Sequence, residues 1–400
     1  MPTTKKTRGA KDAGRTRTGA TGTPSASTPA VYSRLLAAGQ KKYGRKVFNT
    51  FDSSAGCEIR ARYSTGVAVV NIALTGNAKE GFPGGRISEI FGDEHCGKTT
   101  LCLNTLAAVQ AAGGLALFTD SESTTTRKRM HTLGVDTSKL LYSELEYIED
   151  VLNMMVDMSK GCKRTNGVML LDSVAGCMTR HEAGRDVGEH TIGRHALALS
   201  QGLRKLSQVL KKTPMAVLFV NQRKEGGIGV QFATERQRDA TLGGKAIKFH
   251  SQVRLRLLYV KKINERVTDG GKPVYVGDLI KASVIKDKER GSNTRSCEVL
   301  LLLRKVGSQR GQFDNAMSCW YTGRLWEAEG TRNAGAIKLN GKLYKPDQWR
   351  KRYNTDKAFA ASVHAWLKNA AQSLNEHGTA KRSKKAAADI DPDEQEEEEL

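Results

Sequence analysis

Eight consecutive residues carry the clearest chemistry in this chain: Gly92, Asp93, Glu94, His95, Cys96, Gly97, Lys98 and Thr99, with Thr100 directly behind them. Their spacing is G-x-x-x-x-G-K-[ST], the phosphate-loop pattern. Glycines let the backbone curl so that its N–H groups converge on an anion, and the N-terminus of a following helix adds positive potential. Lys98 is the residue type that reaches β/γ-phosphates, and the Thr99 hydroxyl is a ligand for Mg²⁺. A second element completes the pattern. The apolar run GVMLL at 167–171 ends in Asp172, and a carboxylate at the C-terminal end of a strand holds Mg²⁺ through water beside such a loop. Together these residues predict that the chain binds a nucleoside triphosphate with Mg²⁺. The bland alternative, a glycine-rich turn that merely precedes a helix, leaves the order of strand, loop and helix unexplained.

Elements must hold these residues in place. Ile87, Ile90 and Phe91 read as a short buried strand before the loop, and Leu101, Leu103, Leu106, Ala107 and Val109 as a helical stripe that stops at Gly113 and Gly114. Further strands are expected at 115–118, 167–171 and 216–220, with helices at 126–133, 149–158 and 193–210. Three more strands then follow in succession, at 253–260, 279–286 and 297–303. Alternating strands and helices, followed by strands alone, predict an α/β fold with a mainly parallel central sheet and an antiparallel extension. Ahead of this core, 31–43 reads as a helix and KVFNTF at 46–51 as a strand. Neither can bury its own apolar side chains, so both must dock on the core or on another subunit. Residues 180–189 read as a mobile loop without periodicity. The segment 223–244 is longer, glycine-rich and charged, and a structureless stretch of that length is either functional or disordered. Its basic residues Arg223, Lys224, Arg236 and Arg238 favour a polyanion.

The totals agree with that. A formal net charge of +22, from 64 Lys and Arg against 42 Asp and Glu, points to a polyanionic partner, of which nucleic acid is the commonest. Seven cysteines, an odd number without a Cys-x-x-Cys pair, argue against a disulfide scaffold or zinc module and fit a reducing cytosol. No apolar run approaches the length needed to span a bilayer, so no membrane partner is expected. The expected organisation is a basic disordered arm at 1–30, without the apolar centre of a secretory signal, and a helix–strand oligomerisation segment at 31–59. A core follows at 60–310, a small α+β domain at 311–375 containing all four tryptophans, and a basic then acidic disordered tail at 376–400. Aromatic and basic residues together can bind nucleic acid, but the tryptophans are equally the core a small domain needs.

The chain resembles the bacterial RecA recombinase family, over about 31–374. The resemblance rests on GGRISEIFGDEHCGKTT, LGVD at 133–136, LLDSVAG at 170–176, SQGLRKL at 200–206, FVNQ at 219–222 and LGGKAIKF at 242–249, which fall in the family's order at matching spacing. The basic arm and divergent details are closer to a phage-encoded or divergent member, which would act in a bacterial or infected-host cytoplasm. The resemblance implies a RecA-type P-loop ATPase core that uses ATP and Mg²⁺, forms helical homo-oligomeric filaments on single-stranded DNA and pairs it with double-stranded DNA. Glu122 matches the family's catalytic glutamate, Gln222 the residue that senses the γ-phosphate, and Lys286 and Lys288 two lysines that act on a neighbouring subunit's ATP. Two loops, near 182–192 and 223–244, would bind single-stranded DNA. Ile192 and Ile228 would wedge between bases, with Ser200, Arg204, Gly243 and Gly244 at further contact positions.

This chain also departs from the family. Arg129 stands where the family carries an aromatic that stacks on adenine, and Leu303 where it carries a tyrosine. Leu197 replaces a DNA-contacting arginine, with Arg194 a turn earlier as a substitute, and Lys245 replaces an asparagine. A ring-forming helicase or repair ATPase of the same superfamily, a non-catalytic filament switched by ATP, and a small-molecule P-loop kinase are the competing readings.

Overall fold

The computed structural model describes residues 28–45, 48, 50, 58–186, 193–223, 239–265, 272–290, 295–303, 311–326 and 335–377. It divides into two compact units, Met1–Cys57 and Glu58–Leu400. In the first, helix α1 (Thr28–Tyr43) confirms the helix expected at 31–43 and exposes Tyr32 and Leu35, the latter at 61%. The strand expected at 46–51 lies largely outside the described residues, of which Phe48 is in a bend.

The second unit begins with β1 (Arg62–Tyr63), a helix α2 (Ala68–Thr75) and β2 (Phe82–Pro83), which pairs antiparallel with β1. Then come β3 (Ile87–Gly92), α3 (Lys98–Ala111), β4 (Leu115–Asp120), α4 (Arg127–Thr132), β5 (Leu140–Ser143), α5 (Ile148–Gly161) and β6 (Gly167–Asp172). After α6 (Arg180–Ala183), α7 (Arg194–Leu210) and β7 (Ala216–Gln222), a short helix α8 (Lys245–His250) leads into β8 (Val253–Glu265), β9 (Val274–Asp287) and β10 (Arg295–Leu302). The chain closes with β11 (Phe313–Asp314), α9 (Asn315–Leu325), β12 (Ile337–Leu339), β13 (Lys342–Tyr344), α10 (Pro346–Thr355) and α11 (Lys357–His377). No helix among the described residues is long and apolar enough to cross a membrane.

Nine strands form one sheet in the order β11-β10-β9-β8-β3-β7-β6-β4-β5. From β8 to β5 every pairing is parallel, and β9, β10 and β11 extend the β8 edge antiparallel. This is the expected mainly parallel sheet with an antiparallel extension. Its strands read as unbroken apolar runs because both faces are covered. In β6, Val168 and Leu170 point into one core and Met169 and Leu171 into the other. In β7, Leu218 and Val220 face the first core, Val217 and Phe219 the second. On the second face, Leu199, Leu203, Leu206 and Leu210 of α7 pack beside Val151, Leu152 and Met155 of α5. Gly202 permits the close approach of these helices, since a Cβ there would lie 2.4 Å from Leu152 Cδ1.

Most of the tryptophans are core. Trp320, Trp326 and Trp349 are buried in the same apolar cluster as Val299 and Leu301 of β10, and Trp366 packs against it half-buried. Trp349 donates Nε1 to Ala316 O at 2.9 Å and meets Trp320 edge-on at 5.5 Å. Two expectations need correction. Residues 180–189 are not wholly a loop: Thr179 and Glu182 form a reciprocal capping box that starts α6, while 187–192 lie outside the described residues. Within 223–244, 224–238 are likewise outside, but 239–244 are ordered against the core and lead into α8.

Candidate functional site

Parallel pairing brings the C-terminal ends of the central strands to one edge, where open α/β sheets bind ligands. The register sets Gly92 opposite Gln222 and Asp120 opposite Asp172. A cavity of about 1140 Å³ lies there, lined by Glu94–Thr100 of the phosphate loop with Glu122, Arg129, Asp172, Ser173 and Gln222.

The loop adopts the conformation its glycines allow. A Cβ on Gly92 would meet Leu257 O at 1.9 Å, so β8 could not pack against any other residue there. Gly97 has φ +82 as the N-cap of α3 and offers no side-chain cap, which leaves the first-turn N–H groups of the helix for an anion. Lys98 folds over the loop, donating Nζ to Gly92 O at 3.1 Å and Asp93 O at 2.5 Å. The Thr99 hydroxyl donates to Asp172 Oδ2 at 2.6 Å. Asp172 is buried, and burial is the main reason its carboxyl is pushed up to about 6; the Thr99 bond opposes this, while Glu122 and Asp120 add to it.

Glu122 follows the end of β4. Its Oε1 accepts from Ser173 Oγ at 2.5 Å. Ser121 and Ser173 lace the two strand ends together: Ser173 N donates to Ser121 Oγ at 2.9 Å, and that hydroxyl donates to Ser173 O at 2.8 Å. Arg129, on α4, donates Nη2 to Thr100 Oγ1 at 2.9 Å. Gln222 lines the cavity, its backbone N held by Asn221 Oδ1 at 2.9 Å. Mg²⁺ fits this donor set. Among the described residues no group of three or more His, Cys, Asp or Glu side chains could hold a metal, and Mg²⁺ takes one or two carboxylates, with substrate phosphates and water supplying the rest.

Lys286 and Lys288 do not line this cavity. Both cap the C-terminal carbonyls of α8: Lys286 Nζ donates to Lys248 O and to Phe249 O, and Lys288 Nζ to Phe249 O at 3.0 Å. Burial, then the charges of Lys288 and Arg254, lowers the Lys286 ammonium to about 8. Phe249 is 73% exposed beside them, a feature the sequence reading passed over.

Several DNA-contact candidates converge. Gly243 packs so closely on α7 that a Cβ would lie 2.4 Å from Leu199 Cδ1, and a Cβ on Gly244 would lie 3.5 Å from Ala196 Cβ. Lys245 follows, exposed, and Arg194 and Arg204 are exposed on α7 with Ser200 half-buried between them. Arg223 pairs with the phosphate loop itself, Nη1 to Asp93 Oδ1 at 3.1 Å. Ile192, Lys224, Ile228, Arg236 and Arg238 lie outside the described residues.

Beneath the site runs a buried polar network that the sequence reading missed. Glu89 and Arg254, both almost fully buried, are register partners of β3 and β8, and Arg254 Nε donates to Glu89 Oε2 at 2.5 Å. Arg254 Nη2 also reaches Asp239 O at 3.3 Å, and Arg256 Nη1 reaches Asp239 Oδ1 at 2.8 Å. Asn221 Nδ2 bridges Glu89 Oε1 and Leu242 O, each at 3.0 Å. The strand that carries the phosphate loop is thereby tied to both ends of the basic 224–238 segment. A signal existed: charges inside otherwise buried runs, ISEIFG and VRLRLL, need partners.

Sheet order, phosphate loop and acidic strand end define a P-loop nucleotide-binding α/β core of the RecA type. The family model described as the RecA N-terminal domain matches residues 31–303. The chain belongs to the RecA recombinase family. It is 34% identical over 252 residues to Protein RecA of Mycoplasma mycoides, covering 62% of this chain and 68% of that protein. It is 33% identical over 256 residues to Protein RecA of Lactococcus lactis subsp. cremoris (strain MG1363), covering 63% and 62%. With Protein RecA of Pseudarthrobacter chlorophenolicus it shares 36% identity over 236 residues, 58% of this chain and 63% of the relative. The chain thus spans less than two thirds of the last two relatives.

Proposed function

We propose that the protein is a DNA-dependent ATPase that forms helical filaments on single-stranded DNA and catalyses homologous pairing and strand exchange. One observation carries this reading: the cavity that unites the phosphate loop, Asp172, Glu122 and Gln222 is tied through Asp93 and Arg223 to the start of a long glycine-rich segment that carries Lys224, Arg236 and Arg238. In this reading, Lys98 and the N–H groups of the loop grip the triphosphate. Thr99 and Asp172 hold Mg²⁺, which when bound offsets charge on the phosphate oxygens. Glu122, oriented by Ser173, accepts a hydrogen bond from the attacking water and polarises it. The amide of Gln222 meets the γ-phosphate and passes its presence to the segment that begins one residue later.

Lys286 and Lys288, which do not line their own subunit's cavity, complete a neighbour's site and stabilise its developing charge. α1 and the 46–51 segment dock on the adjacent subunit. Arg194, Ser200, Arg204, Gly243, Gly244 and Lys245, with Ile192, Arg223, Lys224, Ile228, Arg236 and Arg238, form the single-strand surface. Residues 311–375 help to capture duplex DNA, and the acidic tail competes with DNA for basic surfaces. Electron microscopy with single-stranded DNA, ATP and Mg²⁺ tests this. Extended helical filaments are the expected result, and closed hexameric rings without filaments would instead favour a helicase.

A further inference from the structure

The cavity continues past the phosphate loop, away from Glu122, Asp172 and Gln222. Thr99 and Thr100 are neighbours on the first turn of α3, yet their hydroxyls serve different directions. Thr99 bonds Asp172, whereas Thr100 accepts from Arg129. A triphosphate whose terminal phosphate lies beside Glu122 must therefore lead its sugar and base towards Arg129. That end is lined by Lys128, Arg129, Thr132, Leu301, Leu303 and Gly311. No Phe, Tyr or Trp is among the described lining residues. Among the described residues, the side chains a base can meet here are Leu301, Leu303, Thr132, the Lys128 ammonium and the Arg129 guanidinium.

Arg129 is well placed to act on that base. Its backbone N–H is capped by Thr126 Oγ1 at 3.3 Å, and its side chain is anchored through one nitrogen to Thr100 at 2.9 Å. The guanidinium is a planar fork of donors with no acceptor. Guanine presents two acceptors, O6 and N7, on one edge, while adenine presents an acceptor beside an N6–H₂ donor. A donor-only fork matches the first edge fully and the second by half, and the Lys128 ammonium adds only further donors.

We propose that Arg129 is the base-recognition residue of this site, and that its guanidinium admits guanine at least as readily as adenine, so that GTP is a substrate beside ATP. This rests on the triphosphate site proposed above. The test is calorimetric titration of the full-length protein, with Mg²⁺, against non-hydrolysable ATP and GTP analogues and against tripolyphosphate. The GTP analogue should bind within about threefold of the ATP analogue or tighter, and Arg129→Tyr, a stacking ring without the fork, should swing the ratio about tenfold towards ATP. Arg129→Lys, which keeps donors for guanine O6 and N7 but loses the planar fork, should leave the ratio nearer to wild type than Arg129→Tyr does, and tripolyphosphate binding certifies that each variant keeps its phosphate loop. A wild-type preference for ATP above about thirtyfold, or a ratio that neither variant moves, overturns the proposal. Failure of tripolyphosphate and both analogues to bind wild-type protein would remove the triphosphate reading itself, and the proposal with it.

Discussion

Asp172 in the cavity and Lys286 outside it are held in unlike electrostatic settings. Asp172 has its negative charge disfavoured by burial and by two nearby carboxylates, and recovers part of the loss from the Thr99 hydroxyl. A divalent cation supplies the charge that such a cluster lacks. Lys286 is the converse, an ammonium lowered to about 8 by burial and by neighbouring cations. Its folded value lies below the ordinary lysine value. Its charge therefore costs stability at pH below 8, and that cost fades as pH rises from the folded value towards the unfolded one. At pH 8 roughly half of Lys286 is free amine, against well under about 1% of an ordinary lysine. Timed acylation at that pH, read by mass spectrometry, should label Lys286 well ahead of exposed Lys211. Equal labelling would contradict the assignment. Sequence disclosed Thr99 and Asp172 because motif spacing fixes them. It did not disclose Ser173 on Glu122 or Asp93 on Arg223, whose partners lie 51 and 130 residues apart and meet only through the sheet.

At the level of elements, strands were legible where both faces are buried. β4 and β6 are short apolar runs between a glycine and an aspartate, β7 is an apolar run that ends in Asn221 and Gln222, and successive side chains of all three alternate between two cores. β5 escaped because Leu141 and Tyr142 are exposed on the sheet's edge and give no burial pattern. α6 escaped because four residues are too short to show a helical period, and α8 because it directly follows Gly243 and Gly244 and buries only Ile247. The Glu89–Arg254 pair escaped because neighbouring strands must be in register before the charges meet. Removing one partner strands the other charge in the interior, at a cost of about 3–5 kcal/mol. Arg254→Met should therefore lower the urea midpoint strongly, and Glu89→Gln combined with Arg254→Met should recover part of the loss. A single variant within about 1 kcal/mol of wild type would show that the pair is not what fixes β8 against β3.

Across the whole molecule, the sheet edge that carries the phosphate-loop motif and the ends of the 224–238 segment belong to one structure, joined by Asp93–Arg223 and by the buried network under them. In the proposed filament, the two lysines with no place in their own cavity, and the first helix with exposed Tyr32 and Leu35, would meet a neighbouring copy. The net charge of +22 provides the attraction to a polyanion. In the proposed function, DNA on the segment that begins at Arg223 and triphosphate in the cavity are coupled, and linkage makes that coupling reciprocal. The most direct measurement is steady-state ATP hydrolysis by the full-length protein, with and without single-stranded DNA, beside Lys98→Ala and Glu122→Gln. Single-stranded DNA should raise the wild-type rate at least about fivefold, and both variants should lose the stimulated rate. Equal wild-type rates with and without DNA, or Glu122→Gln turnover matching wild type in its presence, would contradict the proposed function.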